Sequence, residues 1–277
     1  MERIHQLEHR ALSIRKRIVR LTGTCGVGHT GGSMSLADIL AALYFDVMEV
    51  SPENASDMGR DRFILSKGHC TPGYYSALVE RGYFSEAELI DEYDRIDGRF
   101  QGHPDKNKVP GVDMSTGSLG QGLSVGVGLA LGARMKGLDL RVYVVMGDGE
   151  MQEGQIWEGL LFAGSRQVPG VVAIVDNNQL QLSERTADVL DGNGLHRRVE
   201  ELRWKTLVCD GHDMEALVTT LRLARDLAKS GPVFVQANTV KGKGVSFMEN
   251  QVGWHSKAPN KEEMRLALAE LEGTHVS

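Results

Sequence analysis

An acid and a carboxamide stand thirty residues apart (178 minus 148), each closing a β-branched run. Asp148 lies in Gly147-Asp148-Gly149 after RVYVVM (141–146), and Asn178 in Asp176-Asn177-Asn178 after VVAIV (171–175). A helical segment separates the runs, so the stretch reads as strand–helix–strand. Parallel strands joined by a right-handed crossover present their carboxyl ends on one side. Asp148 and Asn178 can therefore converge on one hard cation, which takes oxygen ligands and shares them with a phosphorylated ligand. A main-chain carbonyl just beyond, such as that of Leu180, completes the protein's share. Gly147 and Gly149 let the backbone approach an anion closely, with a helix N-terminus facing it. Alone, Gly-Asp-Gly is an ordinary tight turn. Strand context on both sides and the spacing to Asn178 make it an expected metal–diphosphate site.

Four of the nine histidines sit in glycine- or proline-flanked loops: His29 (GHTGGS, 28–33), His69 (SKGH, 66–69), His103 (QGHP, 101–104) and His255 (GWHS, 253–256). Singly, each reads as a solvated loop residue. The flanks show no HExxH and no clustered Cys/His pattern, which argues against zinc. Together they suggest a wall of imidazoles, able to donate and accept near neutral pH and so suited to polyol hydroxyls and proton shuttling.

The elements that must carry these loops alternate. Residues 4–21 and 36–50 read as amphipathic helices, with Ser35 as N-cap of the second and a glycine-rich loop over 23–32. A strand is expected over 61–66, helices over 74–81 and 86–93, and a long ordered loop over 94–116. Residues 119–136 read as a small-residue helix. Further strands are expected at 141–146, 171–175, 206–209 and 233–237, a helix over 213–229, a glycine-containing loop over 241–259 and a last helix over 261–272. This alternation predicts an α/β fold with a mainly parallel sheet, as one domain over 1–277.

The chain has 277 residues, enough for a sizeable core. Its net charge of −6 excludes a nucleic-acid or anionic-membrane partner as the first reading, since no basic run appears. Arg10, Arg15, Lys16, Arg17 and Arg20 fall at helical spacing and read as a solvated helix face. Three scattered cysteines without a CxxC, no apolar leader and no stretch fit to span a bilayer predict a cytoplasmic protein with reduced thiols.

Gly147-Asp148-Gly149 followed by Asp176-Asn177-Asn178 resembles the thiamine-diphosphate motif of transketolases and related enzymes. All four histidine motifs resemble that family in identity and order, and so does VPGVDMSTGSLGQG (109–122). The resemblance runs from about His5 to Pro259. It implies that Asp148, Asn178 and the Leu180 carbonyl hold Mg2+, or another divalent cation such as Ca2+, against the diphosphate, with Gly149 on a phosphate. Gly117 and Leu119 would lie along the thiazolium and aminopyrimidine. His29, His103 and His255 would surround the donor sugar's reacting carbons, and His69 would sit near the diphosphate and thiazolium C2. Glu153 and Glu158 would correspond to carboxylates at a subunit interface. Residues 186–208, with the run Gly192 to Arg198, fit the family loosely, and Ser256 stands where glycine is expected.

The resemblance also implies a second half that grips the aminopyrimidine, supplies the activating glutamate and reads the sugar phosphate, and nothing after Pro259 resembles it. The chain is therefore expected to be the diphosphate-binding subunit of a split transketolase, active with a separate pyrimidine-binding subunit in an α2β2 assembly. It would transfer a two-carbon ketol unit from a ketose phosphate to an aldose phosphate. Alternatives are the α-type subunit of a 2-oxo-acid dehydrogenase, a deoxyxylulose-phosphate-synthase type, a split transketolase for sulfonated or branched sugars, or a non-enzymatic regulatory subunit. Gly122, Gly126 and Ala130, with Gly128 and Gly132, recur at i+4. They fit either helix–sheet packing within the chain or an interface with another helix.

Overall fold

A computed structural model describes residues 2–190 and 194–273. Five parallel strands form one sheet: β1 (Arg62–Leu65), β2 (Val142–Gly147), β3 (Val171–Asn177), β4 (Lys205–Asp210) and β5 (Val233–Asn238), in the order β1-β2-β3-β5-β4. The pairings β1–β2, β2–β3, β3–β5 and β4–β5 are all parallel, with Gly147 opposite Asp176 and Asn177 opposite Asn238. That register aligns the carboxyl ends of β2, β3 and β5.

The sheet is covered on both faces, and the period of two in its strands divides the core. Phe63, Leu65, Tyr143, Val145, Val172 and Ile174 pack with α1 (Glu2–Cys25), α2 (Thr30–Ala42), α3 (Thr71–Arg81) and α9 (Met214–Leu227). Their neighbours Ile64, Val142, Val144, Val171, Ala173 and Phe234 pack with α5 (Gln121–Met135), α6 (Gly154–Arg166) and α8 (Leu195–Glu201). The remaining helices are α4 (Glu86–Glu92), closed by a Ser85–Glu88 capping box, α7 (Thr186–Val189) and α10 (Lys261–Leu271). No helix among the described residues is long and apolar enough to cross a membrane.

The main departure from the sequence reading lies at residues 23–32. Helix α1 continues to Cys25 and α2 already begins at Thr30, so Gly31 and Gly32 are helical. Packing overrides propensity there, because a Cβ on Gly31 would lie 2.7 Å from the Trp254 carbonyl oxygen and one on Gly32 3.0 Å from Cys70 Sγ. Ser35 is accordingly no N-cap. It lies inside α2 and donates its hydroxyl to the Gly32 carbonyl (3.1 Å) and Asp176 Oδ2 (2.7 Å). The arginines of α1 are not simply solvated either. Arg15 is buried against Asp38, Arg17 pairs with Glu80 and Glu86, and Arg20 with Glu86.

The glycine rows of α5 divide between the two readings. A Cβ on Gly122 would meet Ser66 Oγ at 2.4 Å and one on Gly126 would meet Val144 at 2.4 Å, so this row packs on the sheet. Gly128 and Gly132 have nothing within 4 Å and face outward. Helices α7 and α8 fall in the loosely fitting segment 186–208, where the sequence reading places none. Gly192 and Asn193 of its glycine-rich run lie outside the described residues.

Candidate active site

The strand ends of β1, β2 and β3 and the loops after β5 enclose a cavity of about 560 Å3. It is lined by His29, His69, His103, His255, Gly117, Leu119, Asp148, Gly149, Glu153, Asn178 and Leu180. Of the residues singled out from sequence only Glu158 is absent. It lies on the outer groove between α5 and α6, with Ser124, Gly128 and Phe162.

Asp148 follows the last residue of β2. Its Oδ1 accepts from the Gly149 N–H (2.9 Å) and its Oδ2 from the Gln179 N–H. Burial first, and then the nearby Asp176, push this carboxyl up to about 6. The side-chain oxygen of Asn178 faces the Leu180 N–H (3.2 Å), and the Leu180 carbonyl accepts from Lys241 Nζ (2.9 Å). A carboxylate, an amide oxygen and a main-chain carbonyl are hard donors suited to Mg2+ or Ca2+. A dication would also relieve the unfavourable placement of the Asp148 charge, so these residues fit the metal. Beyond Gly149 the chain departs from expectation: a 3₁₀ turn over Glu150–Gln152 intervenes, and α6 begins only at Gly154.

Beneath the cavity floor lies a buried ion pair. Lys67 Nζ donates to Asp176 Oδ2 (2.6 Å) and to the Gly32 carbonyl (3.3 Å). Ser35 and Thr239 also donate to Asp176. Burial opposes both charges, yet the pairing holds Asp176 below its ordinary value and Lys67 above its own. The pair is neutral in sum, and the further ammonium that an anion in the cavity would meet is that of Lys241.

The imidazoles form a tight group, with ring centroids 5.0 Å apart for His29–His69, 5.2 Å for His69–His255 and 5.8 Å for His29–His255. His103 joins them across Gly117, where an added Cβ would lie 3.1 Å from its ring. Burial keeps His69 well below the usual range, helped by Lys67. It also lowers His29, aided by His103, and takes His255 down to about 3 with Lys241 beside it. All three are neutral at pH 7. Lys241 Nζ lies 2.7 Å from His255 Nδ1, which as an acceptor leaves the proton on Nε2.

Sequence reasoning missed three residues here. Lys241, pushed down to about 8 by burial and Lys67, sits in a Lys-Gly-Lys-Gly stretch that reads as an ordinary turn. Lys67 lies beside His69 in SKGH, a stretch that gives no sign of burial. Glu150 is the third. Its carboxylate accepts from Ser66 Oγ (2.5 Å), the Gly120 N–H (2.8 Å) and the Gly147 N–H (3.0 Å), joining the ends of β1 and β2 to the start of α5.

Residues 9–272 match the family described as transketolase, thiamine diphosphate binding domain. The chain belongs to the transketolase family. It is 40% identical over 266 residues to the 6-deoxy-6-sulfo-D-fructose transketolase subunit SqwG of Clostridium sp. (strain MSTE9), covering 96% of each chain. It is 41% identical over 268 residues to an apulose-4-phosphate transketolase subunit from Actinobacillus succinogenes, again covering 96% of each. Among solved structures it is similar to transketolase from Leishmania mexicana (TM-score 0.87, 27% identity), covering 96% of this chain and 41% of that one. A Pichia stipitis transketolase variant in complex with fructose-6-phosphate gives a TM-score of 0.88 at 27% identity, covering 97% and 41%. The chain thus spans about two fifths of these solved transketolases, and nearly all of relatives that are named as subunits. It is the N-terminal, thiamine-diphosphate-binding part of a split transketolase, a thiamine-diphosphate-dependent transferase that works with a partner subunit.

Proposed function

We propose that this chain, as one domain, holds the diphosphate half of thiamine diphosphate through a divalent cation and completes its active site against a separate pyrimidine-binding subunit. The assembled enzyme would move a two-carbon ketol unit from a ketose carrying a terminal anion to an aldose phosphate. The observation that carries this reading is the convergence of Asp148, Asn178, the Leu180 carbonyl and four imidazoles on one cavity. In this reading Asp148, Asn178 and Leu180 hold Mg2+, Gly149 contacts a phosphate, and Gly117 and Leu119 lie along the cofactor's two rings. Thiamine diphosphate, when bound, supplies the electron sink for cleaving and forming the carbon–carbon bond.

The chain's own contribution is placement and proton handling. Neutral His29, His103 and His255 orient the donor's hydroxyls, with His255 presenting a proton on Nε2, while His69 lies toward the diphosphate and thiazolium. Among the described residues, the cavity is lined by no lysine or arginine other than Lys67 and Lys241, so recognition of the substrate's terminal anion falls to the partner. The names of the two bacterial relatives, for a sulfonated and a branched sugar, favour a modified ketose as donor over an unmodified one.

Partner docking is assigned to the face made by α5 and α6. Leu129, Leu161 and Phe162 are exposed there, Gly128 and Gly132 leave room for a close helix, and Glu158 and Glu153 flank it. Two copies of each chain, with cofactor between unlike subunits, would place both sites at such contacts. The test is reconstitution with the partner chain, cofactor and Mg2+, assayed for ketol transfer over a panel of ketose donors. Asp148→Ala should abolish Mg2+-dependent cofactor binding by calorimetry. Undiminished affinity would sink the metal assignment, and a stable complex inactive with every donor would favour a regulatory subunit.

A further inference from the structure

Two segments carry the proposed metal ligands: the turn 148–152 bears Asp148, and the stretch 178–190 bears Asn178 and, in its loop from 179 onward, Leu180. The loop is closed at its base by an antiparallel bridge between Leu180 and Arg185, by the Gln181 N–H on the Glu184 carbonyl (3.0 Å) and by the Thr186 N–H on the Gln179 carbonyl (3.0 Å). At its near end the Gln179 N–H donates to Asp148. Its far end is tied back by one side chain. Gln152 Nε2 donates to the Thr186 carbonyl (3.0 Å) and to the Leu190 carbonyl (3.1 Å). Gln152 itself is fixed by its N–H on the Gly149 carbonyl (3.1 Å). It forms part of the wall between the cofactor cavity and a second cavity of about 420 Å3 beneath the loop.

We infer that Gln152 is a positioning residue for the metal site: it clamps the loop so that the Leu180 carbonyl and Asp148 stay together on one cavity before the cation arrives. A carboxamide suits the task because its nitrogen carries two protons, one for each carbonyl. Lys241 also holds the Leu180 carbonyl, by a bond from Nζ. Without the clamp, α7 and the loop before it would lose both Gln152 ties to the turn 148–152, and the cation would have to order them as it binds. Partners outside the immediate ligand shell typically change metal affinity about 10–100-fold when removed.

This inference rests on the cofactor reading above, and the experiment separates the two. Mn2+ would be titrated by electron paramagnetic resonance into the chain assembled with its partner, at fixed thiamine diphosphate, for wild type and Gln152→Met. Methionine keeps length and bulk but donates nothing. The expected result is Mn2+ binding weakened about tenfold, with the thermal midpoint close to that of wild type. A merely structural role would lower the thermal midpoint and turnover together and leave metal affinity alone. Unchanged Mn2+ affinity, with wild type binding Mn2+ in a cofactor-dependent manner, overturns the role of Gln152 only. Absence of cofactor-dependent Mn2+ binding in wild type overturns the underlying reading as well. Should Gln152→Met fail to fold, Gln152→Leu, which is likewise neutral and lacks the Nε2 donors, is read against the same two outcomes.

Discussion

Replacing Lys67 by methionine tests the charge design beneath the site. Lys67 and Asp176 are 2% and 0% exposed at the side chain, with Nζ 2.6 Å from Oδ2. At an effective dielectric of about 20, that separation corresponds to an attraction of about 6 kcal/mol, which offsets the cost of taking both ions out of water. Removing only the cation leaves the Asp176 charge buried, and breaking such a pair typically costs about 3–5 kcal/mol. Asp176 keeps the Ser35 hydroxyl at 2.7 Å and the Thr239 hydroxyl as donors. The lower end, about 3 kcal/mol, is therefore expected. For a chain of this size that lowers the thermal midpoint by roughly 6–12 °C. Urea unfolding of the metal-free chain measures it directly. Combining Lys67→Met with Asp176→Asn removes the stranded charge and should restore most of the loss, giving a large coupling in the double-mutant cycle. A single variant that loses less than about 1 kcal/mol, or a cycle with no coupling, would refute the argument.

Two further outcomes concern the histidines. His103→Ala should lower turnover far more than cofactor affinity, since His103 lies against Gly117 and is not among the proposed metal ligands; unchanged steady-state rates would remove it from donor binding. Stability of the cofactor-free chain should fall on acidification from pH 7 to pH 5. His29, His69 and His255 all have folded values below the ordinary 6.5. Above that value neither state binds the protons. Below it the unfolded chain takes them up first, and the loss continues toward the folded values, about 3 for His255. Asp148, raised to about 6, and Glu150, raised by burial, act in the opposite sense over part of the window but are two groups against three. Urea midpoints that stay level or rise between pH 7 and pH 5 would contradict the neutral imidazole cluster.

Much of the site is legible in the sequence because its parts follow local rules. Asp148 and Asn178 stand at strand ends, and strand ends are announced by β-branched runs of period two or by continuous apolar stretches. The parallel register then brings them together. Their loops carry glycine where backbone must come close, as at Gly149, where a Cβ would lie 2.9 Å from the Gln181 side chain. Helix boundaries near residues 23–35 escape the same rules for the opposite reason. Glycine argues against helix locally, yet Gly31 and Gly32 are helical because Trp254 and Cys70, distant in sequence, leave no room for a side chain there.

Sequence by itself determined the alternating fold and singled out Asp148, Asn178, Leu180 and the four histidine loops, which the structure gathers at one cavity, since each depends on short-range pattern and residue type. Only the tertiary structure decided the electrostatics around them. The charge of Lys67, the depressed histidines, the carboxylate of Glu150 and the clamp of Gln152 are consequences of burial and of partners that include residues 34, 84 and 109 positions away. Burial and long-range pairing are set by how layers pack, which spacing along the chain does not encode.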